Sequence, residues 1–204
     1  MNDLLQAGLE NLDLDATPSL CNACLTYVEL LNKWNKTYNL TAIKQPEEML
    51  TRHVLDSLSV YSYIKGNYCI DVGTGAGLPG LILAIAQPAR HWVLLDSNQK
   101  KLRFIQHVKA KLNIKNVDIV HARVELFQPD DIYDSVICRA YTSLYDFYMS
   151  CRHLVKVGGE LLAMKAKLSE EELSAVKSLV NSVVIKKLTV PNIEATRSLV
   201  IMSD

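Results

Sequence analysis

From Tyr68 onward the apolar positions gather into short runs rich in β-branched and aliphatic residues, at Tyr68–Val72, Trp92–Leu95, Val117–Val120, Ser135–Cys138 and Glu160–Lys165. Helical spacing fills the intervals near Pro79–Ala86, Gln99–Leu112 and Leu144–Leu154. Such alternation predicts right-handed crossovers and a parallel sheet covered by helices on both faces. After Gly158-Gly159 the chain runs through the fifth of these strands and a helix opening at Ser169-Glu-Glu-Glu. Two more strands follow, Val183–Val190 and Ser198–Met202, predicted as a hairpin on the sheet edge. The expected class is α/β, doubly wound, seven-stranded and mostly parallel.

The residues before this pattern, Leu4 to about Tyr61, carry no strand signal. Leu20, Cys24, Tyr27, Val28, Leu31 and Trp34 fall on one face of a helix beginning near Pro18-Ser19. Pro46 with Glu47 and Glu48 opens another, whose apolar face comprises Met49, Leu50, Val54, Leu55 and Leu58. Asn39-Leu-Thr41 reads as a polar turn between them. The chain is therefore expected to divide into a helical extension, residues 1–62, packed on a main domain, residues 63–204.

A length of 204 residues suits one domain with a core that needs no disulfide or metal staple. Lys plus Arg and Asp plus Glu balance at 22 each. No global basic field draws nucleic acid, and any such contact needs a local patch. The five cysteines are an odd number behind a start, Met-Asn-Asp-Leu-Leu, without signal-peptide character, so reduced thiols and a cytoplasmic address are expected. No apolar run reaches the roughly 18 residues that cross a bilayer.

Chemistry concentrates where the first strand ends. Cys69-Ile-Asp71-Val is followed by Gly73-Thr-Gly75-Ala-Gly77-Leu-Pro79-Gly80, in the order strand, glycine turn, helix that a nucleotide site requires. A ligand across the carboxyl end of a strand must approach backbone N–H groups closely, and side chains there would collide with it. Asp96 ends the next strand, where a carboxylate can accept both hydroxyls of a ribose, or can cap the following helix together with Ser97 and Asn98. NAD and S-adenosylmethionine both suit this arrangement. Asp71 discriminates, because its carboxylate would repel a pyrophosphate but could orient the cationic methionine end of S-adenosylmethionine, directly or through water. An NAD-dependent oxidoreductase is the alternative on the same turn, and a non-enzymatic RNA-binding module is a third reading.

The cysteines supply no rival chemistry. Cys138 lies at the expected site without the proline-cysteine pair or adjacent acid of a thiolate nucleophile, and reads with Cys69 as a packing residue of its strand. Cys21 and Cys24 have metal-ligand spacing but lack a second pair of ligands, so no metal is expected.

Asn39-Leu-Thr41, Arg52-His53-Val-Leu-Asp56-Ser-Leu58, Asp71-Val-Gly-Thr-Gly-Ala-Gly-Leu-Pro-Gly80, Leu95-Asp-Ser97 and Arg139-Ala140, in this order, resemble the guanine-N7 methyltransferase family of 16S ribosomal RNA, formerly glucose-inhibited division protein B. The resemblance runs from about residue 30 to Ile201. It implies a class I, Rossmann-like methyltransferase that moves a methyl group from S-adenosyl-L-methionine to N7 of one guanine in 16S RNA, as naked RNA or within the small ribosomal subunit. It further implies cofactor contacts at Gly73, Leu78, Val124, Glu125 and Arg139, beside Asp71, Gly75, Gly77 and Asp96 read from the turn itself. A methyltransferase with a different RNA target is the neighbouring alternative.

The loop after the third strand commonly flanks an adenine, which needs an acceptor and an apolar wall, in agreement with Val124-Glu125. Arg139, at the carboxyl end of the fourth strand, is the candidate for positioning cofactor or substrate. Guanine N7 has an in-plane lone pair and no proton to lose, so aligned approach suffices and no general base is expected. Arg103, with Lys100 and Lys101, and Lys165, Lys167 and Arg197 are candidates for phosphate contacts. Arg52 and His53 are expected to position RNA, and the protein is expected to be a monomer.

Overall fold

The computed structural model describes residues 1–141 and 143–204. Strands β1 (Tyr68–Val72), β2 (His91–Asp96), β3 (Val117–His121), β4 (Tyr133–Arg139), β5 (Val155–Lys165), β6 (Ser182–Leu188) and β7 (Arg197–Ser203) form one sheet in the order β3-β2-β1-β4-β5-β7-β6. The first five are parallel to one another, whereas β7 is antiparallel to both β5 and β6. The expected edge hairpin therefore forms, with its second strand on the inside. Composition explains that order. Leu199 to Met202 of β7 are buried, while β6 exposes Val184, Ile185, Lys186 and Lys187, and charged residues suit an open edge.

Helices α1 (Asn2–Asn11), α2 (Pro18–Tyr38), α3 (Pro46–Met49), α4 (Asp56–Leu58), α5 (Gly80–Ala86) and α6 (Gln99–Lys111) cover one face. Their core joins Leu5, Tyr27, Leu31 and Leu55 to Leu81, Trp92 and Phe104, so the N-terminal helices share one apolar interior with the sheet. Helices α7 (Leu144–Cys151) and α8 (Glu170–Lys177) cover the other face, sharing a core in which their Phe147 and Val176 join Ile70 and Val136 of the sheet. Caps follow local chemistry: Thr17, Asn98, Ser143 and Ser169 each accept a backbone N–H of the helix they open.

Three boundaries differ from the sequence expectation. The segment opened by Pro46 is interrupted by a π-helical turn, Leu50–Leu55, between α3 and α4. Its i→i+5 bonds place Leu50 and Leu55 together in the core and turn His53 and Asp56 inward as well. The helix after β4 ends at Cys151 and closes in a 3-10 turn, Arg152–Leu154. Strand β5 starts at Val155, ahead of the Gly158-Gly159 pair. A register shift against β4 absorbs those glycines, and Gly158 adopts φ +78°.

The chain reverses winding direction between β1 and β4, and the carboxyl ends of these strands open the crevice where doubly wound sheets bind ligands. Among the described residues no helix is long and apolar enough to cross a membrane.

Candidate functional site at the switch point

Past β1 the backbone turns with Gly73, Gly75 and Gly77 at φ +70°, +60° and +88°, a region that side chains disfavour. The N–H groups of Gly73 and Thr74 donate to the Leu95 carbonyl at 2.8 and 3.1 Å, pinning the turn to β2. A Cβ on Gly73 would meet nothing within 4 Å. The chain itself does not fill the space in front of this residue. Gly80 is the opposite case, since a Cβ there would lie 2.5 Å from Leu94 Cδ2 and 2.6 Å from Asp71 Cβ.

Asp71 and Asp96 brace the turn from below and from the side. Asp71 is fully buried, and its Oδ2 accepts from Thr74 Oγ1 at 2.6 Å and from the Gly80 N–H at 2.8 Å. Its Oδ1 is buried with no hydrogen-bond partner. Burial pushes the Asp71 carboxyl up to about 6, against the lowering effect of the Thr74 and Gly80 hydrogen bonds. Asp96 Oδ2 accepts the Gly75 N–H at 2.8 Å and Oδ1 the Asn98 N–H at 2.7 Å. The helix cap proper is Asn98, which receives the N–H groups of Lys100 and Lys101.

Two cavities open over this region. The smaller, about 210 Å³, is lined by Gly73, Asp96, Val124, Glu125 and Tyr141, among others. The larger, about 430 Å³, is rimmed by the cations Arg52, Arg139, Lys165, Lys167 and Arg197. Tyr141 lines both. Ala140, between Arg139 and Tyr141, has φ +64°, so the backbone is strained where the two cavities meet.

At the floor of the larger cavity Asp56 receives two arginines. Its Oδ2 accepts from Arg139 Nη1 at 3.3 Å and its Oδ1 from Arg197 Nε at 3.2 Å. Arg139 Nη1 also donates to the Arg52 carbonyl at 3.2 Å. Beside them, His53 Nε2 hydrogen-bonds Thr41 Oγ1 at 2.8 Å, and Asn35 clasps the same loop through the Thr41 N–H and the Ile43 carbonyl.

Among the expected site residues, the structure brings Gly73, Asp96, Val124 and Glu125 to the smaller cavity and Arg52, His53, Arg139, Lys165 and Arg197 to the larger. The remaining expected residues of the turn line neither cavity. Leu78 is buried in the core under the turn and lines neither cavity, because its apolar side chain packs among the helices of the covered face. Gly75 and Gly77 shape the turn without lining either cavity. Asp71 faces loop hydrogen bonds rather than open space.

His53 is buried at the wall of the larger cavity. Burial first, and the nearby Arg139 charge second, lower its imidazole to about 4, so it stays neutral as a hydrogen-bonded wall. Lys165 is paired with Glu172 at 2.7 Å, and Arg197 with Asp56. Arg103 and Lys100 are exposed on α6 and line neither cavity.

Asp56 and Tyr141 received no role from the sequence. Both stand beside residues that did, Asp56 within the Arg52-His53 motif and Tyr141 next to Arg139-Ala140. The five cysteines are buried and unpaired. Burial holds the Cys138 thiol well above its ordinary range, unsuited to thiolate attack.

The sequence model of the family described as "GidB: rRNA small subunit methyltransferase G" matches residues 20–200 of the chain. A protein of Nitrosococcus oceani named ribosomal RNA small subunit methyltransferase G is 46% identical over 198 residues, covering 97% of this chain and 92% of its own. A Legionella pneumophila protein of the same name is 45% identical over 204 residues, covering 100% and 95%. Among solved structures, a SAM-dependent methyltransferase from Aquifex aeolicus superposes with a TM-score of 0.59 at 15% identity, covering 77% of this chain and 93% of that one. A SAM-dependent O-methyltransferase from Thermotoga maritima gives 0.56 at 13% identity, covering 85% and 71%. These structural likenesses concern the fold.

Proposed function

The chain belongs to the rRNA small subunit methyltransferase G family, and from that premise we propose that it methylates N7 of a guanine in 16S ribosomal RNA, with S-adenosyl-L-methionine as donor. The observation that carries this reading is the meeting at Tyr141 of a small pocket suited to a nucleoside and a larger cavity rimmed by cations. Membership in a methyltransferase family sets aside the NAD-dependent oxidoreductase and the non-enzymatic module.

The residues present fit the cofactor. The empty space before Gly73 is one that a ligand, rather than the chain, would fill. The unpartnered, buried Asp71 Oδ1 lies under the same turn, where a cationic group nearby would favour its charged form. S-adenosylmethionine, when bound, supplies an electrophilic methyl group on a sulfonium.

In this reading Gly73, Asp96, Val124 and Glu125 hold the nucleoside part: Asp96 accepts from ribose hydroxyls, Glu125 accepts from an adenine amino group, and Val124 gives an apolar wall. Gly75, Gly77 and Leu78 shape the turn that presents Gly73, and Asp71 fixes that turn through Gly80. Arg139 binds a carboxylate or orients the base.

Arg52, Lys165, Lys167 and Arg197 neutralise RNA phosphates, while Arg103 with Lys100 and Lys101 adds a peripheral basic contact on α6. His53, neutral, holds the 39–43 loop against the cavity. No side chain is asked to remove a proton, because N7 has none. The chain's work is alignment, exclusion of water and stacking by Tyr141.

The same reading treats residues 1–62 as an extension packed on the catalytic domain of residues 63–204. It takes the protein to be a cytoplasmic monomer that needs no metal.

The test is transfer of tritium from labelled S-adenosylmethionine to 16S RNA, naked and within small subunits from a strain lacking the enzyme, followed by guanine-N7-specific strand cleavage. Label at one guanine is expected. Cofactor binding without RNA label would reject the target, and label at a site resistant to that cleavage would reject N7.

A further inference from the structure

The larger cavity gathers cations from distant parts of the chain, and Asp56 is the one acidic side chain among the described residues that line it. Arg139 ends β4 and Arg197 begins β7, with β5 between those strands in the sheet. Both guanidinium groups nevertheless converge on one carboxylate whose side chain is only 6% exposed. Like charges brought this close repel strongly where water is scarce. Glu172, the acid nearby in sequence to the C-terminal strands, is already taken by Lys165.

We propose that Asp56 is a positioning residue: it holds Arg139 and Arg197 side by side, so that one arginine serves the cofactor end of the cavity and the other serves RNA. This rests on the reading of Arg139 and of the larger cavity given above. Asp56 itself touches neither cofactor nor base. Its removal leaves two neighbouring cations with no counter-charge, and Arg197 then displaces Arg139 from its place. A specific consequence follows: neutralising Arg197 should repair the damage that loss of Asp56 does to cofactor binding. A carboxylate that merely stabilised the fold would not be compensated in this way.

The experiment measures S-adenosylmethionine affinity by calorimetry, without RNA, for the wild-type protein and for Arg197→Gln, Asp56→Asn and the double variant. Asp56→Asn should weaken binding about tenfold, the loss of roughly one well-placed polar contact. Arg197→Gln alone should shift it less than about threefold, although it lowers RNA methylation. The double variant should return to within about threefold of wild type. Unchanged affinity in Asp56→Asn, or a double variant as weak as Asp56→Asn, would overturn the proposal.

If Asp56→Asn does not fold, Asp56→Glu decides, because it keeps the charge but lengthens the tether by one methylene. Its cofactor affinity should stay near wild type while kcat on small subunits falls about tenfold, and an unchanged kcat overturns the proposal. Wild-type protein that binds cofactor yet labels no RNA would remove the assigned target, and the affinity series would still judge Asp56.

Discussion

Tyr27 of α2 donates a hydrogen bond of 2.9 Å from its phenol to the carbonyl of Ala76, in the middle of the glycine turn. The residue is fully buried, so this bond ties α2 directly to the loop beside the smaller cavity. Tyr27→Phe keeps the ring in its core position but leaves a buried carbonyl unpaired. A loss of about 1–3 kcal/mol is expected, read as a lower denaturant midpoint at unchanged slope, together with several-fold weaker cofactor binding. Equal affinity in wild type and variant would mean that the extension packs on the turn without organising it.

Two glycines seven residues apart, Gly73 and Gly80, should fail in different ways. Gly73→Ala adds a methyl group that meets no protein atom within 4 Å, at φ +70°. Its folding cost should be limited to about 1–2 kcal/mol of backbone strain, yet cofactor binding should be lost because the methyl group occupies ligand space. Gly80→Ala instead drives a methyl group into Leu94 and Asp71. Overpacking of about 1–3 kcal/mol or more is expected there, seen in thermal melts before any cofactor is added. Gly73→Ala that binds normally would remove the ligand from that space.

The contrast also shows what could be read in the sequence. Strand runs such as Tyr68–Val72 and the Gly73–Gly80 turn are local patterns, and each fell within a few residues of the observed element. The contacts of Asp56 are not local: its partners lie 83 and 141 residues away, and only the sheet order brings them together. The burial of His53 is not legible either, because a short helical motif does not reveal which way a side chain turns. The π-helical turn that carries it inward has no counterpart in simple periodicity. Tyr141 carries no signal in the sequence, since one aromatic after a strand resembles ordinary core, and its position between two cavities emerges only with the fold.

Tyr141 offers a test of stacking against simple wall-building. Its ring lies 5.5 Å from that of Phe147, which holds it in place at the junction. Tyr141→Phe retains the aromatic face, and kcat on small subunits should change less than about threefold. Tyr141→Ala removes a stacking surface worth roughly 1–3 kcal/mol per base, so kcat/KM for RNA should fall about tenfold or more. Equal losses in both variants would point to the hydroxyl instead, and no loss in either would clear Tyr141 of any part in the reaction.

Acid sensitivity separates two of the buried titratable groups, His53 and Asp71, because their effects on stability run in opposite directions. His53 is lowered from 6.5 to about 4 in the fold, so its contribution is complete above pH 6.5 and is lost as pH falls through about 4. Asp71 is raised from 3.8 to about 6, so its contribution is complete below pH 3.8 and is lost as pH rises through about 6. At 1.36 kcal/mol per pKa unit, each effect has an upper bound on the order of 3 kcal/mol. Between pH 6.5 and 4, then, acid weakens the fold through His53 and strengthens it through Asp71. Replacing His53 with Gln, which can still bond Thr41, should flatten the fall in unfolding free energy on acidification. Asp71→Asn should steepen it. Denaturant titrations at half-unit pH steps measure both slopes. Parallel curves for wild type and both variants would mean that neither group changes its proton affinity on folding.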